Sequence, residues 1–177
     1  MKKPDYVFKV IIVGEAEVGK TSLALKYTTD AFSEKYLMTI GVTFFKKVEE
    51  VNSTNVLLDI WDTGGQERFS YVRSFYFQGA SGALVCYDIT NRHSFERLGY
   101  WIEEIDKHCG GVPIVIVGNK IDLEDKRQVS KEEGRTFAEA FGAPFFEASA
   151  KTGDNVKDPF VELAKVMLMY LKKSKKK

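Results

Sequence analysis

Cysteine is scarce: only Cys86 and Cys109 occur in 177 residues. Two cysteines without metal-ligand spacing exclude a disulfide framework and suit a reducing cytosol. Cys86 lies inside the apolar run GALVCYDI and reads as a buried thiol acting as a small hydrophobe. Long apolar runs are also missing. None approaches the ~18 residues of a membrane span. The opening MKKPDYVFKV runs straight into a strand-like pattern, so a secretory signal is not expected. Residue 2 is lysine rather than glycine, so neither is N-myristoylation. Repeats, linkers and low-complexity stretches are absent before the terminal KKSKKK.

What is present is an ordinary globular composition, 44% hydrophobic and 29% charged. The length suits one domain with a full core. We place that domain at residues 1–171 and a lysine-rich tail at 172–177. The net charge of +1 hides an asymmetry, because five of the 26 basic residues lie in the tail. The body, with 25 acidic residues, is mildly acidic. That balance does not suggest a nucleic-acid-binding surface spread over the domain.

Strand-like apolar runs alternate with helix-like periodic ones. VFKVIIVG (7–14) leads into GKTSLALKYTTD (19–30). TFFKKVEEV (43–51) and NVLLDIWDT (55–63) flank Asn52 and Ser53 and read as a hairpin. GALVCYDI (82–89) precedes one long amphipathic run over 91–109, with Phe95, Leu98, Ile102 and Ile105 on one helical face. PIVIVGNK (113–120) is a further buried run. Ser130 and Glu133 have capping-box spacing before a helix that closes on Gly142. APFFEASA (143–150) reads as the last strand. Asp158-Pro159 reads as N-cap and first position of the last helix. This alternation predicts a mostly parallel sheet covered on both faces, with one antiparallel edge. Ligands of such sheets bind beyond the carboxyl ends of the strands.

Three segments at those ends carry chemistry. Gly14, Gly19, Lys20 and Thr21 form G-x-x-x-x-G-K-T between a strand and a helix, the pattern of a phosphate loop. Its glycines let successive N–H groups point at one anion, and the helix N-terminus adds partial positive charge. Lys20 would reach the β- and γ-phosphates, and Thr21 would bind Mg²⁺. WDTGG (61–65) ends a strand; Asp62 can hold Mg²⁺ through water, and Gly65 can bring its N–H to a γ-phosphate. Gln66 follows, a neutral amide able to orient water. NKID (119–122) selects the base. Asp122 would accept from both N1–H and the 2-amino group of guanine, a pair that adenine lacks. Asn119 and Lys120 would brace that pocket, and the Ala150 N–H of EASAK would close it over the guanine O6.

Together these residues resemble the Ras superfamily of small GTPases over residues 7 to about 171. TIGVTFF, WDTGGQERF and the trio Phe44, Trp61 and Tyr76 resemble the Rab family most. The resemblance implies a three-layer α/β P-loop NTPase fold: a six-stranded, mostly parallel sheet with one antiparallel edge strand and helices on both faces. It implies GTP/GDP and Mg²⁺ as ligands. Nucleotide contacts fall to Glu17, Val18, Gly19, Lys20, Thr21, Ser22, Phe32, Tyr36, Thr39, Gly65, Asn119, Lys120, Asp122, Ser149, Ala150 and Lys151. Metal contacts fall to Thr21, Thr39 and Asp62, and catalysis to Gln66. Residues 34–45 and 64–79 become the two switch segments, ordered by γ-phosphate and released on hydrolysis. An exchange factor, a GTPase-activating protein and effectors would read those segments and the Phe44/Trp61/Tyr76 surface. The expected role is a slow GTPase switch of the cytoplasm, at the periphery of membranes in trafficking. A GTP-loaded scaffold with little hydrolysis is the alternative.

Four features depart from the family pattern. DTGGQE has Gly64 where alanine is common, which predicts a looser second switch. Ala16, beside the γ-phosphate position, would crowd Gln66 and slow hydrolysis. Glu15 matches an often acidic position and should point away from the nucleotide. Glu17 is unusual. Its carboxylate would repel phosphate by roughly 0.5–2 kcal/mol per charge pair, which predicts release faster by about 2–30-fold. The tail, KKSKKK, lacks the prenylated cysteines usual in Rab proteins, either because the natural chain runs further or because the protein is natively unlipidated; the tail by itself would give membrane contact that is only weak and electrostatic. No arginine in the phosphate loop or first switch can serve as an internal finger, which leaves that role to a partner.

Overall fold

The computed structural model describes residues 3–34 and 39–176. Its six strands are β1 (Tyr6–Val13), β2 (Val42–Val51), β3 (Thr54–Thr63), β4 (Gly82–Asp88), β5 (Ile114–Asn119) and β6 (Phe145–Glu147). The helices are α1 (Lys20–Thr29), α2 (Arg73–Phe77), α3 (Arg92–Glu96), α4 (Leu98–Cys109), α5 (Lys131–Ala140) and α6 (Lys157–Ser174). The strands lie in the order β2-β3-β1-β4-β5-β6. All pairs are parallel except β2 with β3. This is the expected three-layer architecture with one antiparallel edge.

Burial explains the sequence pattern. All seven residues of β4 are buried, as are the last four of β1. Strands covered on both faces cannot alternate with polar residues, so they read as unbroken apolar runs. Their side chains still divide by strand period. Phe8, Val10 and Ile12 join Leu23 and Tyr27 of α1 and Phe160 and Leu163 of α6 on one side. Ile11 and Val13 join Leu98, Trp101 and Ile105 of α4 and Ala138 of α5 on the other.

Local chemistry sets the boundaries. The β2–β3 hairpin turns on Asn52 and Ser53, both at positive φ (50° and 61°), the conformation a tight two-residue hairpin turn requires. The Ser130–Glu133 capping box forms at the start of α5. Two helical expectations are revised. The run over 91–109 is two helices, split at Arg97, whose ψ of −5° leaves the α-helical value. Pro159 is the third residue of α6 rather than the first. The N–H groups of a first helical turn have no intrahelical partner, so proline costs no bond there either.

β1, β3, β4, β5 and β6 end at Val13, Thr63, Asp88, Asn119 and Glu147, and being parallel they end on one edge. The segments that carry the chemistry leave from that edge.

Candidate functional site

A cleft of about 410 Å³ opens at this edge, lined by residues of the phosphate loop, both switch segments, NKID and EASAK. The loop that follows β1 needs three residues at positive φ: Gly14 (146°), Glu17 (70°) and Gly19 (94°). At Gly14 a Cβ would overlap the Cys86 carbonyl of β4, so only glycine lets the loop pass so close. Gly19 precedes α1 in a left-handed conformation and offers no side-chain cap. The first N–H groups of α1 are thus left for a ligand.

Lys20 is buried, and its Nζ donates to the carbonyls of Gly14 (3.0 Å) and Glu15 (2.8 Å). Burial pulls its ammonium below its ordinary pKa, against the opposing pull of Asp62. Thr21, Thr39 and Asp62 converge beside it. Thr21 Oγ1 donates to Asp62 Oδ2 and lies 2.6 Å from Thr39 Oγ1, which is 3.4 Å from the same carboxylate oxygen. Asp62 Oδ1 is buried and without a hydrogen-bond partner among the described residues. Desolvation pushes this carboxyl above its ordinary pKa. Two hydroxyls and a carboxylate with a free buried oxygen are hard oxygen donors, the set that Mg²⁺ takes.

Gly65 presses against the backbone of the phosphate loop. A Cβ there would overlap the Gly14 carbonyl, Glu15 C and Ala16 N. Gly64 is anchored: its buried N–H donates to the Gly41 carbonyl at 2.8 Å, tying the second switch segment to the first. Gln66 lines the cleft with Ala16 and precedes a short 3₁₀ turn, Glu67–Val72.

The opposite end of the cleft is cross-braced. Asn119 donates from Nδ2 to the Val18 carbonyl (3.0 Å) and accepts the Ala150 N–H at Oδ1 (3.2 Å). Lys120 donates to the Glu17 carbonyl (2.7 Å) and pairs with Asp88 (2.8 Å). Asp122 Oδ1 accepts from Ser149 Oγ at 2.7 Å. Ser22, Phe32 and Lys151 line the same cleft, and Lys151 reaches Glu34 at 3.7 Å. Tyr36 lies outside the described residues, as does part of the 34–45 segment. Sequence reasoning missed Asp88 and, among the lining residues, Leu25, Ser33 and Leu123. Asp88 at the end of CYD, on the same strand edge, was its one available signal.

Glu15 does point away from the cleft, toward α4: its Oε1 accepts from Arg97 Nε (3.1 Å) and Trp101 Nε1 (2.9 Å). Glu17 is exposed. Of the aromatic trio, Phe44 is 55% exposed and meets Trp61 edge-on at 4.6 Å, while Tyr76 is half-buried.

The G-x-x-x-x-G-K-T loop, three converging oxygen donors and NKID, gathered on one cleft of a six-stranded α/β sheet, match the pattern of a guanine-nucleotide-binding GTPase. The family model that matches residues 9–169 is that of the Ras family, and the chain belongs to it. Its relatives are more particular. It is 43% identical to Ras-related protein Rab-8B of Bos taurus over 171 residues, 96% of this chain and 83% of that protein. It is 42% identical to Ras-related protein Rab-8 of Diplobatis ommata, over 97% of this chain and 82% of that protein. It is 43% identical to Ras-related protein Rab-1 of Theileria parva, over 94% and 77%. The chain is a Rab-like small GTPase, a switch of membrane trafficking that binds GTP, GDP and Mg²⁺ and hydrolyses GTP to GDP and phosphate. Regulators of nucleotide exchange and hydrolysis, and effectors, come with the family.

Proposed function

We propose that this cleft holds GTP from the phosphates at Lys20 to the guanine at Asp122, and that hydrolysis there is slow and partner-assisted. The observation that carries the reading is the convergence of Thr21, Thr39 and Asp62 beside Lys20, with Gly65 pressed on the phosphate loop. The backbone N–H groups of Glu17, Val18, Gly19, Lys20, Thr21 and Ser22 surround the phosphate chain, and Lys20 neutralises its outer charge. Thr21, Thr39 and Asp62 would hold Mg²⁺, which would supply positive charge to offset that of the phosphates. Gly65 donates its N–H to the γ-phosphate. Gln66 orients water for attack at the γ-phosphorus; the bond to the β–γ bridging oxygen breaks, and GDP and phosphate leave. Asn119, Lys120, Asp122, Ser149, Ala150 and Lys151 hold the base, with Phe32 stacked on it.

Two arginines near the site have other employment. Arg73 is 2% exposed, stacks on Trp101 at 4.3 Å and donates to Tyr100. Arg97 is committed to Glu15 and Glu67. An arginine finger would come from an activating protein, because neither Arg73 nor Arg97 is free to reach the phosphates. Effectors and regulators read residues 34–45, 64–79 and the Phe44/Trp61/Tyr76 surface, and exposed Ile40, Tyr71 and Phe75 extend that surface in apolar character.

We read residues 1–171 as one GTPase domain. α6 continues to Ser174, so Lys172 and Lys173 of the tail belong to its last turn, where lysines also suit the helix dipole. The tail gives weak contact with anionic membranes, up to ~1 kcal/mol per lysine near the surface. Among the described residues no helix is long and apolar enough to cross a membrane. The site of action is the cytoplasm and the periphery of its membranes.

Protein loaded with GTP and Mg²⁺ should convert it slowly to GDP, followed by chromatography of nucleotide released on denaturation. Gln66→Leu should slow that conversion by about 10- to 100-fold, the range that mispositioning a reactant spans. GTP binding should stay within a few-fold. Hydrolysis at the wild-type rate in this variant would remove Gln66 from the mechanism.

Glu17 gains a second reason to weaken the site. A non-glycine residue in the left-handed region costs roughly 1–2 kcal/mol, and Glu17 has φ 70°. Glu17→Gly relieves that strain and removes a charge near the phosphates. Release of GDP should slow by about 2–30-fold, read by displacement of a fluorescent GDP, and the melting temperature should rise. Equal release rates would show that the carboxylate is screened by water.

A further inference from the structure

Arg97 occupies the break between α3 and α4, where its one guanidinium meets two loops of the site. Nε donates to Glu15 Oε1 of the phosphate loop at 3.1 Å. Nη2 donates to Glu67 Oε1 of the second switch segment at 2.9 Å. The guanidinium lies over the Tyr100 ring, 3.9 Å from its centroid, which fixes its plane. Glu67 directly follows Gln66 and opens the 3₁₀ turn that Gln66 caps.

We propose that Arg97 is a positioning residue for GTP hydrolysis: it clamps Glu67, and with it the adjoining Gln66, to the phosphate loop through Glu15. The proposal rests on the reading of Gln66 as the group that orients water. Glu15 is well placed as the fixed end of the clamp. Its main-chain carbonyl accepts from Lys20, and its carboxylate also accepts from the buried Trp101 indole. Trp101 therefore holds Glu15 whether or not Arg97 is present. The Glu67 end is the free one, with a side chain 75% exposed. Removing Arg97 leaves two carboxylates of like sign on neighbouring loops, with only one still held. The loss falls on the second switch segment, while the apolar cores, to which Arg97 does not belong, are untouched.

The geometry asks for arginine rather than lysine. Two acceptors are met by two different nitrogens of one planar group, and an ammonium on a flexible stem does not hold two partners in that fork. The clamp is also partly solvent-exposed, so salt should weaken it.

Single-turnover hydrolysis by protein preloaded with GTP and Mg²⁺ tests this. Arg97→Ala should slow the rate constant by about 5- to 20-fold, and Arg97→Lys should restore little of it. Glu67→Gln, at an exposed position that folding tolerates, should slow it comparably. Arg97→Ala combined with Glu67→Gln should be no slower than Arg97→Ala alone, because the two act as one unit. Arg92→Ala breaks an Arg–Glu pair between α3 and α5 and should stay within about twofold of wild type. Raising salt from about 0.05 to 0.5 M should slow the wild type and leave Arg97→Ala unchanged. Wild-type rates in Arg97→Ala or Glu67→Gln, with Gln66→Leu slow, would overturn the clamp and leave the Gln66 reading standing. Additive effects of Arg97→Ala and Glu67→Gln would overturn it as well. A wild-type rate in Gln66→Leu would instead overturn the reading beneath it.

Discussion

Asp122→Asn should lower the affinity for GTP by about 10³- to 10⁵-fold, because a site built on paired hydrogen bonds rejects a mismatched pair by factors of that order. Asp122 lines the cleft, and one of its oxygens already accepts from Ser149 Oγ. Its remaining lone pairs are all acceptors, which suits the two adjacent donors of guanine, N1–H and the 2-amino group. An amide replaces one acceptor oxygen by an NH₂, so one guanine donor would face another donor. Xanthine presents N1–H beside a carbonyl oxygen, one donor and one acceptor, and matches the amide. Titration with fluorescent GTP and xanthosine triphosphate should therefore show the first binding collapse and the second appear. Unchanged GTP affinity would mean that the base is read elsewhere, and Asn119 with Ala150 would be the next group to change.

Gly65→Ala should abolish measurable hydrolysis, with a rate at least about 100-fold down, while GDP binding stays within a few-fold. The argument is steric. The glycine sits so close to the phosphate loop that a methyl would overlap backbone atoms of Gly14, Glu15 and Ala16. Those atoms are held by the positive-φ turns at Gly14 and Gly19 and by the Lys20 ammonium on the Gly14 and Glu15 carbonyls, so they have little room to retreat. The second switch segment would then stand off, carrying Gln66 with it. The GDP form has no γ-phosphate for Gly65 to approach, so it tolerates the methyl. Single-turnover hydrolysis and GDP titration on one preparation separate the two states. Normal hydrolysis would mean that the close approach seen here is not the reacting arrangement.

Much of this site was legible in the sequence because it is built from short segments at strand ends. The phosphate loop and NKID each carry their chemistry within a few residues, and the parallel sheet brings them together. The capping box at Ser130 and the turn at Asn52 and Ser53 were legible for the same reason: both are made by neighbours in the chain. What was not legible depends on distance or on unfavoured conformation. Periodicity runs on through Arg97, so the break between α3 and α4 leaves no mark in it. Glu15 finds Arg97 and Trp101 more than 80 residues away, and nothing local to either end announces the pair. Glu17 adopts a backbone conformation that its residue type disfavours. Only the loop around it, fixed at Gly14 and Gly19, imposes that.

The exposed margins of the sheet bear on how copies of this chain meet. A sheet edge is a row of unsatisfied amides and carbonyls, open to any strand that approaches. At one margin β6 offers only three residues. At the other, β2 is ten residues long, but its outward row runs Phe44, Lys46, Val48, Glu50, with charge at every second position. A second chain laid along it would bury Lys46 and Glu50. A partner strand laid along that edge would have to match Lys46 and Glu50 with charges of opposite sign beside the exposed Phe44.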